Sequence, residues 1–161
     1  MASDLVSSVE AVLEADATLV AILTGGIYTS RALGAAFINE TDTPSAYGAL
    51  AASGGVVQLR PCCVITPSSG PTSVGAAGCG RQEWLRIGVY DKQGYVNTEA
   101  ALDRIHTLLH DTNINLTDGR SYCVEHVDTP YRAATDDTIM TGTSYPASHE
   151  AARYVCTTSW A

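Results

Sequence analysis

The sequence predicts an α+β fold: a mainly antiparallel sheet of four strands, or slightly more, with helices packed on one face. Three observations carry this. In Gln82–Asp91, Leu85, Ile87 and Val89 alternate with Arg86, Gly88 and Tyr90, a period of two that puts the three aliphatics on one side of a strand. After Lys92-Gln93-Gly94-Tyr95 the period lengthens, and Ala101, Leu102, Ile105, Leu108 and Leu109 fall at helical spacing. A strand with one apolar face thus feeds a helix with one apolar stripe, and packing one on the other buries both. Elsewhere strands dominate, without the regular strand–helix alternation of a parallel sheet.

From the N-terminus, Ser3 to Glu14 reads as an amphipathic helix with Leu5, Val6, Val9, Val12 and Leu13 on one side and Ser3 as its cap. Asp16 is placed to cap a second short helix carrying Leu19, Val20, Ile22 and Leu23. Gly25-Gly26 ends it. Ile27-Tyr28-Thr29 is a short strand. Val56 to Thr66 is the next strand region, with Pro61 marking an edge or a break because it has no amide hydrogen to donate. The central strand and helix follow, with Asn97 as the expected helix cap and Glu99 near the positive end of the dipole. Asp118-Gly119 turns into a strand from Arg120 to Val127, and the last strand runs from Glu150 to Trp160. Three polar or glycine-rich stretches read as long loops, at about 39–55, 67–80 and 129–146, the last as an extended arm or hairpin. With no repeat and no linker, the 161 residues are expected to form a single domain.

Composition narrows the function. Hydrophobic residues make up 45% and charged residues 16%, as in a folded chain. The formal net charge is −8, and Lys92 is the only lysine, so the surface lacks the clustered cations that tight nonspecific nucleic-acid binding needs. No segment approaches the ~20 apolar residues of a membrane span, and Met1-Ala2-Ser3-Asp4 lacks the basic start of a signal peptide. The five cysteines, Cys62, Cys63, Cys79, Cys123 and Cys156, are odd in number and form no CxxC pair, which predicts reduced thiols used as small hydrophobes in a chain made in a reducing cytoplasm.

Catalytic signatures are sparse. There is no GxSxG elbow and no phosphate loop, and Gly75-Ala76-Ala77-Gly78-Cys79-Gly80 precedes a strand where a phosphate cradle requires a helix. The richest constellation lies on the central helix, where Glu99, Asp103, His106 and His110 share an angular sector. His106 and His110, four residues apart, with Asp103 as a third ligand, are the one metal-binding alternative, but HExxH is missing and polar residues belong on this face in any case. His126 and His149 each neighbour an acid, Glu125 and Glu150, yet adjacent strand residues point to opposite faces, so neither pair is a dyad. The expectation is no catalytic, cofactor-binding or metal site.

The order of patterns resembles a known family. Val9-x-x-Val12-Leu13-x-Ala15-Asp16-Ala17-x-Leu19 opens the chain, followed by Gly25-Gly26-Ile27-Tyr28 and Pro61-Cys62-Cys63-Val64-Ile65. Leu85-x-Ile87-x-Val89-Tyr90, a helix through Ala100-Ala101-Leu102-Asp103-Arg104-Ile105-x-x-Leu108-Leu109 and a closing strand complete it. This is similar to the tail terminator (tail completion) proteins of long-tailed bacteriophages, along nearly the whole chain. The resemblance implies a virion subunit that forms a hexameric ring at the head-proximal end of the tail. Such a ring ends polymerisation of the major tail tube protein and receives the head connector or stopper protein, while DNA passes through its lumen without specific binding. A stopper or head–tail adaptor ring is the alternative, and a small metal-dependent enzyme using the histidine face a more distant one. On this reading the outward residues Arg86, Tyr90, Glu99, Asp103, His106 and His110 form a subunit interface, and the acidic charge repeated around a ring lets DNA slide.

Overall fold

The computed structural model describes residues 5–29, 50–53, 56–68, 82–91, 94–116, 119–137 and 145–159. Helices α1 (Leu5–Glu14), α2 (Ala17–Ile22) and α3 (Val96–Leu109) accompany strands β1 (Ile27–Thr29), β2 (Leu50–Ser53), β3 (Val56–Leu59), β4 (Cys62–Ser68), β5 (Gln82–Asp91), β6 (Thr112–Asn115), β7 (Ser121–Asp137) and β8 (Tyr145–Ser159). The α+β class is the one the sequence predicts, but the sheet is larger than four strands. Six strands lie in the order β1-β4-β5-β8-β7-β6, and β2 pairs with β3 in a separate two-stranded ladder. The short β1 is legible in the sequence, but β6, only four residues long, is too short to display alternation. The region from Val56 to Thr66 is also two strands, divided at Arg60-Pro61 and belonging to different sheets.

Every pairing in the large sheet is antiparallel except β1 with β4. That parallel start depends on the glycine pair. The Gly25 amide donates to the Pro61 carbonyl at 2.8 Å, and the Cys63 amide donates to the Gly26 carbonyl at 3.0 Å. A Cβ on Gly25 would sit 2.9 Å from the carbonyl oxygens of Arg60 and Pro61, and Gly26 has φ +101°, so side chains are excluded where the chain enters the sheet. At the other side β7 and β8 form a long hairpin, with register shifts between His126 and Asp128 and between Asp128 and Tyr131. Strand therefore occupies Leu50–Ser53, whose small residues read as loop, and much of 129–146, the stretch read as an extended arm or hairpin. The 67–80 stretch lies outside the described residues beyond Ser68, as does the proposed Ser3 cap.

The apolar stripes meet as their spacing requires. Val9 and Leu13 of α1, Leu19 of α2 and Ile105 and Leu109 of α3 are buried in one cluster with Leu85, Ile87 and Val89 of β5 and Ala152, Tyr154 and Cys156 of β8. Burying each large aliphatic contributes ~1.5–3 kcal/mol before entropy is counted. Cys62 and Cys63 are both buried, on opposite faces of β4, and burial pushes the Cys63 and Cys156 thiols up to about 12. The thiols described, Cys62, Cys63, Cys123 and Cys156, are free.

The helix ends are defined by polar contacts. Asp16 caps α2 as its position predicts, accepting the Leu19 amide at 2.7 Å. The start of α3 is different. Tyr95 holds the capping position without a side-chain bond, and Asn97 instead donates Nδ2 to Asp91 Oδ2 at 2.7 Å. Thr98 Oγ1 lies 3.0 Å from Glu150 Oε2. Asp91 and Glu150, only 3% and 1% exposed, thus place two carboxylates at the positive end of α3. The helix ends at Leu109, His110 being already extended; Asp111 follows with φ 57°, and its amide turns to the Val124 carbonyl.

Candidate functional site

Strand alternation decides where the six proposed interface residues lie. Leu85, Ile87 and Val89 face the helices, so Arg86 and Tyr90 of β5 face the other way. Glu99, Asp103 and His106 lie exposed on α3, and His110 is half-exposed at its end. The structure therefore brings the four helix residues together and sets Arg86 and Tyr90 on the opposite side of the sheet. The two sheet residues also differ from each other. Arg86 is exposed, whereas Tyr90 is 8% exposed and stacks on His149 of β8, with ring centroids 4.2 Å apart and planes within 4°. Gly88 makes room for that stack, because a Cβ there would come within 2.9 Å of His149 Nε2.

Behind the exposed Arg86, register produces a feature that local sequence does not show. Arg86 lies directly opposite Arg153 of β8, and both are exposed. Like charges at directly opposed positions work against strand pairing. On β7, Asp128 stands at the register position opposite Arg153, and the exposed Glu125, opposite Val155, lies diagonal to it.

The helix side has the reverse character. The acids on the three helices are Glu10, Glu14, Glu99 and Asp103, and the one arginine, Arg104, is held by Asp16 through bonds of 2.6 Å (Nη2 to Oδ2) and 3.1 Å (Nε to Oδ1). The hydrogen bond from Arg104 is the largest influence on the Asp16 carboxyl, and with the Leu19 amide it lowers the group from 3.8 to about 2. Burial, reinforced by the neighbouring Glu14 charge, raises Glu10.

His106 and His110 are joined by a third histidine. Their ring centroids are 4.6 Å apart, and His126 of β7 lies 5.0 Å from His106 and 5.3 Å from the buried Tyr154 ring. The His126 amide donates to His110 Nδ1 at 3.2 Å, which places any Nε2 proton of His110 toward Asp111 Oδ2, 3.5 Å away. These rings pack on one another. Among the described residues, no group of three or more His, Cys, Asp or Glu side chains is placed to hold a metal ion. His126 shares the inward parity of Tyr122 and Val124, which is the one sequence signal that it would join the helix side. His149 and Glu150 point to opposite faces, one toward Tyr90 and the other toward Thr98, and form no dyad.

Among the described residues no helix is long and apolar enough to cross a membrane. No protein-family model and no curated protein sequence matches the chain. Among solved structures, it is similar to a chain of the virion of a native gene transfer agent particle. That likeness has a TM-score of 0.57 at 13% identity and covers 97% of this chain and 95% of the other, so what the two share is the fold, from end to end.

Proposed function

We propose that the chain is a structural subunit of a phage-like virion. In this role it assembles as a ring, hexameric by family resemblance, at the head-proximal end of a tail, where it ends tube polymerisation and receives the head connector or stopper. The observation that carries this is the end-to-end likeness, over 97% of the chain, to a chain from a gene transfer agent virion. Placement of residues supports it. A ring needs two different patches on each subunit, and the candidate interface residues fall on two opposite faces. The acidic net charge of −8 suits a lumen through which DNA slides without being held. Asp103 and His106, exposed on α3, belong to one of the two patches, where Asp103→Arg or His106→Glu weakens assembly without unfolding the subunit.

The test is native mass spectrometry and negative-stain microscopy of the protein alone and mixed with tail tubes of its own particle. Closed rings, or caps on one end of the tube, are expected. A subunit that remains monomeric and leaves the tubes bare excludes the role. Binding to isolated capsids in place of tubes moves it to the stopper or adaptor ring.

A further inference from the structure

We infer that the subunits also join backbone to backbone: β2 of one subunit adds to the outer edge of β7 on the next, along residues 131–135. The inference rests on the ring reading above and names the strands that meet. β8 accompanies β7 along its whole length, but β6, the neighbour on the other side, pairs only with 121–124. Just past β6 the His126 amide is taken by the His110 ring, at 3.2 Å. The register then shifts on either side of Asp128, and Pro130 has no amide hydrogen to offer. From Tyr131 onward the pairing with β8 is regular again, and among the described residues no strand lies on the other edge of β7 there. Bulges, proline and charged residues are the devices that close a strand edge to other chains. Here they bracket a run, with the shifted register and Pro130 before it and Asp136-Asp137 after it.

The same fold holds a strand that gains from such an edge. β2 and β3 form a two-stranded ladder separate from the large sheet, and two strands by themselves are marginal in water. β3 runs through Arg60-Pro61 into β4 and approaches β8, which leaves β2 as the outer strand of its ladder. With four residues, Leu50–Ser53, β2 is close in length to the bracketed run, and it carries neither proline nor charge. Once joined, β3 and β2 of one subunit and β7 and β8 of the next form a single sheet across the contact, held by main-chain hydrogen bonds. Because β2 and β7 are different strands, the contact is head-to-tail, and such contacts close into rings when the rotation permits. A two-fold dimer would pair β7 with its own copy and leave the β2–β3 ladder two-stranded.

The experiment is hydrogen exchange, read by mass spectrometry, on the wild-type protein free and assembled with tail tubes of its own particle. Amides in Leu50–Ser53 and in 131–135 should exchange at least about tenfold more slowly after assembly, since both segments gain a strand partner. Cross-linking identifies that partner. Ala52→Cys subunits are mixed with Ala133→Cys subunits and treated with a short bis-maleimide, wild type serving as the control for native thiols. Ala51→Cys supplies the opposite face of β2, and circular dichroism and melting temperature confirm that each variant folds. Dimers on a denaturing gel are expected from the mixture and from neither variant alone. Rings or tube caps whose two segments exchange as fast as in the free subunit would overturn the inference and leave the ring reading intact. Dimers from Ala133→Cys alone would also overturn it, assigning the β7 edge to its own copy. A wild-type chain that neither forms rings nor binds tubes removes the ring reading, and the inference with it.

Discussion

Arg104 of α3 and Asp16 at the head of α2, 88 residues apart in sequence, are joined by two hydrogen bonds, the shorter 2.6 Å. The same Asp16 carboxylate accepts the Leu19 amide, so one side chain both starts α2 and ties it to α3. Because its carboxyl is lowered from 3.8 to about 2, its contribution to stability is fully present above pH ~4 and is lost as pH falls toward about 2. Asp16→Asn should therefore melt below wild type at neutral pH, with the gap closing between pH 4 and pH 2. Melting temperature against pH reads this; a gap that is constant across the window contradicts the ion pair's role. Asp16→Ala should cost more than Asp16→Asn, since it also removes the cap.

The Tyr90–His149 stack occupies the space above Gly88. Gly88→Ala brings a Cβ to 2.9 Å from His149 Nε2 and 3.3 Å from Tyr90 Cε2, and both rings are buried. The expected loss is about 1–3 kcal/mol in urea unfolding, as for other overpacked sites. Alanine normally improves on glycine in a strand, so a stabilised variant would show that the stack yields freely.

Tyr154 is buried under the helices, and its hydroxyl has no hydrogen-bond partner among the described residues. Burial is the main cause raising its ionisation above the ordinary range. A buried, unsatisfied hydroxyl costs about 1–3 kcal/mol, so Tyr154→Phe is expected to be neutral or stabilising. A loss above about 1 kcal/mol in the same assay would reveal a partner for that hydroxyl.

The thiols separate by burial. Cys62, Cys63 and Cys156 are buried and held protonated, with Cys63 and Cys156 pushed up to about 12 and Cys62 higher still, whereas Cys123 is half-buried. Iodoacetamide at pH 8, read peptide by peptide, should label Cys123 before Cys62, Cys63 and Cys156, and should label all five cysteines of the chain in denaturant. Native labelling of Cys63 as fast as Cys123 would contradict its place in the core.

What was legible in the sequence follows from the range of the forces involved. Alternation in β5 and helical spacing in α3 record burial by a single large neighbour, so Leu85, Ile87, Val89, Ile105 and Leu109 could be read directly. Tyr90 could not, because its burial comes from a ring on β8, 59 residues away, on the face that alternation assigns to solvent. The opposition of Arg86 to Arg153 depends on register, which is set by the whole sheet and not by either strand. Asn97 looked like a cap because its side chain suits one, but the nearby Asp91 carboxylate is the stronger partner and takes its amide group. His106 and His110 announced themselves at i, i+4, while His126 joins them only because β7 passes the end of α3.

The proposed ring at the end of a tail is open to electron microscopy of the purified protein mixed with tail tubes of its own particle. A closed ring seated on one end of each tube is expected, with tube length no longer increasing when free tube subunits are added. Tubes that stay uncapped and continue to grow in a saturating excess of folded protein would contradict it.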